Sequence, residues 1–219
     1  MRRFLSPKGA RRFYDLVGSL EDSQAFYEDP ALKRLIREGR FDSAASVFEF
    51  GCGTGRLAGR LLRDELPDDA RYTACDISPK MVALAGKRLQ RFGPRARVFE
   101  HTGALRSLFG EMKFNRIVTS YVLDLLPEDQ IEIFLEASRD ALAPGGFLCA
   151  ASIAPGAGFA ASTVSSVWSA IHRISPVLTG GCRPVDLPAM FAPEQWSIAH
   201  SGTVAAWGVT SCVVVASPR

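Results

Sequence analysis

The stretch Glu49-Phe50-Gly51-Cys52-Gly53-Thr54-Gly55 gathers more potential chemistry than any other part of the chain. Glycines this closely spaced let a backbone turn sharply and approach a ligand, and a helix starting at residue 56 aims its first N–H groups at the same place. Asp76 follows 21 residues after Gly55. In a doubly wound fold a carboxylate so placed, at the end of the second strand, accepts hydrogen bonds from a ribose diol. The expected ligand is a nucleoside.

Glycine spacing leaves the nucleoside's attachment open. Read from Gly51, the dinucleotide pattern GxGxxG fails at Arg56, whereas from Gly53 it runs acceptably through Gly55 to Ala58. Glu49, two residues before the first glycine, argues against a pyrophosphate, which a carboxylate repels, and for a cationic amino-acid ammonium. Cys52 reads as a small residue tolerated between glycines, because no base stands beside it in the local sequence.

The elements that must position these groups follow from periodicity. Residues 46–51 (SVFEFG), 71–77 (RYTACDI), 96–102, 114–122 (FNRIVTSYV) and 147–153 read as strands. Helices are expected between them at 56–66, at 80–91 behind a Ser78-Pro79 cap, and after Pro127, with Ile131, Phe134, Leu135, Ser138 and Leu142 in a stripe. Strands alternating with helices give an α/β fold, a mostly parallel sheet with helices on both faces. Two last strands, 196–206 and 209–217, are joined at Trp207-Gly208 and form an antiparallel hairpin. Ahead of the first strand, 7–17 and 29–38 look helical, and 162–174 forms another helix in a Gly/Pro-rich segment.

Length and composition set the limits. The chain has 219 residues, 47% hydrophobic and 22% charged. One domain is expected, divided into a helical extension (1–45), a ligand-binding core (46–153) and a covering segment with the hairpin (154–219). No apolar run approaches the roughly 20 residues of a membrane span. The basic start, Arg2 to Arg12, lacks the apolar stretch of a secretory signal, so a cytoplasmic location is expected. That start reads as a solvated end, with weak attraction to a membrane surface as the alternative. A net charge of +3 with interleaved acids argues against nucleic acid. Five scattered cysteines without a CxxC pair suit reduced thiols, and no metal site is expected.

The segments VFEFGCGTG (47–55), CDISPKMV (75–82), FNRIVTSYVLDLL (114–126) and LAPGGFL (142–148) together resemble the class I S-adenosylmethionine-dependent methyltransferases. The resemblance spans about residues 46–153 and is similar to the small-molecule and lipid-precursor branch, near ubiquinone/menaquinone C-methyltransferases and phospholipid N-methyltransferases. It implies a Rossmann-like seven-stranded sheet of order 3-2-1-4-5-7-6 with strand 7 antiparallel, and S-adenosyl-L-methionine as cofactor, leaving S-adenosyl-L-homocysteine. It assigns Glu49, Gly51, Gly53 and Gly55 to the methionine moiety, Cys52 and Thr54 to the same cofactor loop, and Asp76 to the ribose. Ile77 and Met81 would flank the adenine, with simple helix packing the equal alternative for Met81, and Ser120 and Tyr121 would lie beside the sulfonium. Gly103-Ala104 stands where relatives usually carry an acid for the adenine amino group, which leaves backbone atoms for that contact.

The acceptor half is less determined. Methyl transfer from a sulfonium needs positioning and desolvation more than a base. Where a base helps, Asp124 and His172 are the candidates; the competing readings are a helix-entry cap for Asp124 and a structural role for His172. His101 and His200 are expected to be structural or at the surface. Arg183 could pair with an acceptor carboxylate or phosphate, and Tyr14 and Tyr27 could lie over the cofactor. No Asp/Asn-Pro-Pro-aromatic loop follows the fourth strand, which disfavours base or glutamine methylation. The expected partner is a small-molecule or lipid-like acceptor. An NAD(P)-linked oxidoreductase is the rival, lacking the YxxxK of short-chain dehydrogenases, and a non-catalytic cofactor-binding module is the third reading.

Overall fold

The computed structural model describes residues 25–155 and 183–219. The expected helices at 7–17 and 162–174, with Tyr14 and His172, lie outside the described residues. Within them the order is α1 (Ala25–Gly39), β1 (Ser46–Phe50), α2 (Arg56–Asp64), β2 (Arg71–Asp76), α3 (Pro79–Leu89) and β3 (Ala96–Glu100), then β4 (Phe114–Ser120), α4 (Glu128–Ala141), β5 (Leu142–Ile153), β6 (Trp196–Ala206) and β7 (Val209–Pro218). The seven strands form one sheet of order β3-β2-β1-β4-β5-β7-β6. β1 pairs in parallel with β2 and β4, whereas β7 runs antiparallel to both β5 and β6. This is the expected topology. It departs from the 3-2-1-4-5-6 order of dinucleotide folds, in which no antiparallel strand is inserted between the fifth and sixth.

Alternation along each strand sends side chains to two cores. Val47, Tyr72, Val118 and Val213 pack with α1, α2 and α3 on one face; Phe48, Ile117, Leu148 and Val214 pack with α4 on the other. The Ser78 hydroxyl accepts from the Met81 amide and Pro79 opens α3, so the cap reads as expected. The hairpin turn falls at Trp207 (φ 54°) and Gly208 (φ 80°), the two left-handed residues that a tight hairpin needs.

One helix differs from expectation. α1 starts at Ala25 rather than Asp29, so Pro30 lies inside it. A proline this near the amino terminus forgoes just one bond, to the Phe26 carbonyl, and burial of Ala31, Leu32, Leu35 and Ile36 against the sheet outweighs that loss. Arg116 of β4 fixes the other end: its Nε donates to the Gly39 carbonyl at 2.5 Å and its Nη2 to the Arg40 carbonyl at 2.7 Å. Among the described residues no helix is long and apolar enough to cross a membrane, and no cluster of potential ligands could hold a metal ion.

Candidate active site

The carboxyl ends of β1, β2 and β4 open into a cavity of about 600 Å³, within the range of small-molecule and cofactor sites. Its floor is the β1–α2 turn. Gly51, Gly53 and Gly55 all have positive φ (73°, 50° and 74°), a region glycine enters without penalty. A Cβ on Gly51 would lie 2.3 Å from Val122 Cγ2, so the β1 and β4 loops touch there because residue 51 has no side chain. Gly55 serves helix packing instead. A Cβ there would press on Ala85 of α3 at 3.0 Å, and the residue is not in the cavity wall.

Asp76 stands across that turn. One carboxylate oxygen accepts from the Gly53 amide and the other from the Ser78 amide, each at 2.9 Å. The carboxylate is thereby fixed, and each oxygen has a second lone pair. Glu49 also lines the cavity, fully buried, and accepts from the Tyr72 hydroxyl at 2.9 Å. Burial raises its pKa from 4.5 to about 8; the Tyr72 bond opposes the rise and the charge of Asp76 adds to it. Burial likewise holds the Cys52 thiol well above its ordinary value, which keeps it protonated and a poor nucleophile. The Thr54 hydroxyl accepts from Arg88 Nη1 at 2.8 Å.

Ile77, Gly103, Ser120, Tyr121 and Tyr27 share the same wall. Tyr121 leaves β4 at φ 56°, uncommon for a bulky residue, and its hydroxyl lies 2.9 Å from Ser211 Oγ. The Tyr27 ring meets the Tyr121 ring edge-on at 5.9 Å, so α1 reaches over the end of β4.

Several sequence candidates stand elsewhere. Met81 is buried in α3 and does not reach the cavity wall, and neither does Ala104. Asp124 is completely buried and is not part of the wall; its backbone carbonyl accepts from the Arg183 amide. Arg183 donates to the Leu126 carbonyl at 3.0 Å and lies 3.8 Å from Glu128. In this arrangement it ties the 183–187 segment to the β4–α4 connection.

Among the cavity residues that escaped the sequence reading are Glu28, Arg56 and His101. Glu28 and Arg56 line it as an ion pair, with Arg56 Nη2 3.2 Å from Glu28 and Nη1 2.7 Å from Asp29. Burial raises the Glu28 pKa from 4.5 to about 7, against the pull of Arg56 and with help from Asp124. His101 is the third: it lies beside Gly103, where a Cβ would come within 3.4 Å of its ring, and its Nε2 is buried with no hydrogen-bond partner. Its signal was a histidine at the end of the third strand, two residues before the glycine that replaces the usual acid.

Residues 47–146 match a family model described as a methyltransferase domain. That match covers just under half of the chain, within the seven-stranded order described above. The chain is 34% identical over 118 residues to carboxy-S-adenosyl-L-methionine synthase of Chromohalobacter salexigens, covering 52% of this chain and 42% of that protein. The chain thus spans about two fifths of that curated relative's length. Among solved structures it resembles magnesium protoporphyrin IX methyltransferase of Synechocystis PCC 6803 with bound S-adenosylhomocysteine (19% identity, TM-score 0.63, covering 93% of this chain and 84% of that one). The N-methyltransferase NodS of Bradyrhizobium japonicum, also with S-adenosylhomocysteine, is similar (17% identity, TM-score 0.63, 88% of each chain). So is SpnF, a cyclase (15% identity, TM-score 0.71, covering 98% of this chain and 97% of that one). These likenesses carry the fold; the cyclase among them is a reminder that one fold hosts several reactions.

Proposed function

We propose that the cavity binds S-adenosylmethionine and that the chain transfers its methyl group to a small-molecule or lipid-like acceptor. The observation that carries this reading is the fixed Asp76 carboxylate facing a three-glycine turn beside a buried Glu49. A ribose diol donates to the Asp76 oxygens, while the cationic methionyl end lies by Glu49, Gly51 and Gly53. Ile77 borders the adenine. The unpartnered Nε2 of His101 serves the adenine edge in place of the acid that Gly103 lacks. Ser120 and Tyr121 flank the sulfonium, with Tyr27 over them.

S-adenosylmethionine supplies an activated methyl on sulfur; the chain's part is to hold donor and acceptor in line and keep water out. Leu125, Leu126 and Pro127 give the far side of the cavity an apolar border, which suits an acceptor with an apolar body. In this reading the acceptor approaches between that border and Glu28.

Incubation with methyl-labelled S-adenosylmethionine and a panel of apolar hydroxyl, amine and acidic-carbon compounds tests the assignment. Label in one product together with released S-adenosylhomocysteine is the expected outcome. Cofactor binding with no transfer to any panel member would favour the non-catalytic module. Replacing Asp76→Ala is expected to weaken S-adenosylhomocysteine binding by about 1–3 kcal/mol, the loss of a charged hydrogen-bond acceptor. Unchanged affinity in calorimetry would remove Asp76 from the site.

A further inference from the structure

A second cavity, of about 390 Å³, lies between α1, α2, α3 and the turn after α3, and guanidinium groups dominate its wall. α2 contributes Arg56, Arg60 and Arg63, spaced to share one helix face, and Arg88 and Arg91 come from α3 and the residues just beyond it. Asp29 is the one acid in that wall. Three of the five arginines have identified protein partners: Arg56 holds Asp29 and Glu28, Arg63 holds Asp64 at 2.6 Å, and Arg88 donates to Thr54. The other two make no hydrogen bond or salt bridge among the described residues: Asp64, whose pKa the Arg63 hydrogen bond lowers, also feels the charge of Arg60, which helps to lower it, and Arg91 has the Phe92 ring, 5.4 Å from its guanidinium carbon.

The α2–α3 contact runs through Gly55 against Ala85 and through Gly59, where a Cβ would find Leu89 and the aliphatic stem of Arg88 at 3.7 Å; the other arginines of the wall do not enter that contact. Like charges crowded around a concave, partly apolar wall repel one another and focus a positive potential into the space they enclose. Guanidinium forks match phosphate oxygens in geometry and bind them with charge-assisted bonds. Guanidinium groups outnumber the acids of this wall, so its excess charge is positive, which suits a phosphate monoester, at about −1.5 to −2 near neutral pH.

We propose that this cavity binds a phosphate group, held by Arg60 and Arg91 with Arg88 at its side. The site adjoins the proposed methyl-transfer cavity, with Leu32, Arg56 and Leu57 lining both, and it does not depend on that reading. Its concave shape fits a single compact group better than an extended polyanion.

Equilibrium dialysis of the full chain against labelled inorganic phosphate, in low-salt buffer with matched chloride controls, tests it. The expected result is saturable one-to-one binding, weakened at least tenfold in R60Q/R91Q and unchanged in R106Q/R139Q, a charge-matched double variant outside the cavity. Thermal melts of each variant keep loss of fold separate from loss of binding. Co-sedimentation with phosphatidylcholine vesicles containing phosphatidate tells a lipid headgroup from a free phosphate: pelleting that depends on Arg60 and Arg91 identifies the headgroup as the source, and dialysis binding without pelleting identifies a soluble one. Absence of saturable binding in both formats overturns the proposal. So does binding that survives in a folded R60Q/R91Q, or that falls equally in R106Q/R139Q.

Discussion

Glu49 links protons to the ligand. With its pKa raised from 4.5 to about 8, it is mostly protonated in the empty cavity at neutral pH and ionised in the unfolded chain. The folded state then binds the extra proton between those values, so this group's contribution to stability is full below about pH 4.5 and is lost as pH rises towards 8. Glu28, raised to about 7, acts in the same direction over the lower part of that window. A sulfonium and an ammonium placed beside these carboxylates favour their charged forms. Cofactor binding is therefore expected to release protons at pH 7 and to tighten as pH rises from 6 to 8. Calorimetry in two buffers of different ionisation enthalpy measures the release, and Glu49→Gln is expected to abolish most of it. An unchanged proton count in that variant would place the coupling elsewhere. Gly55 turned out to serve helix packing, but that Asp76, Gly51 and Gly53 meet at one cavity was legible because it follows from residue type and spacing. Glu28 was not, since nothing local marks a carboxylate that a distant strand end brings into use.

At the scale of elements, the cavity depends on how closely two loops meet. Gly51 touches Val122, and a Cβ at residue 51 would overlap that side chain. Gly51→Ala is expected to cost about 1–3 kcal/mol of stability through overpacking, with added strain from its positive φ, and to weaken cofactor binding as the loops part. A denaturant melt and a titration read the two effects; a variant as stable as the parent would mean that the β4 loop yields without cost. The strand–helix alternation was readable because each strand is a short apolar run bounded by turn residues. The arginine cavity shows the opposite case. In sequence, Arg56, Arg60 and Arg63 are interleaved with leucines and an acid, which looks like a balanced surface, yet the helical period sorts them onto one wall and α3 adds two more. Of the two readings open for Met81, helix packing is the one the fold takes: its side chain turns into the core.

Across the whole molecule, the amino-terminal helix belongs to the site although it lies outside the motif-bearing half. α1 packs on β5, β6 and β7 and carries Tyr27 and Glu28 to the cavity rim. Arg116 anchors its far end through two backbone carbonyls and Ser43. Arg116→Met is expected to cost on the order of 3 kcal/mol, since several carbonyls lose a charged donor, and to loosen cofactor binding through α1. Unaltered binding in a folded variant would separate the helix from the site. The division at residue 46 expected from motif spacing marks where the sequence becomes legible; the contacts of α1 run across it.

What occupies the main cavity decides the function, so the most direct measurement is a calorimetric titration of the intact chain with S-adenosylhomocysteine beside one with NADH. Saturable binding of S-adenosylhomocysteine at one site, weakened in Asp76→Ala, with no heat from NADH, is the predicted result. Binding of NADH with none of S-adenosylhomocysteine would contradict it.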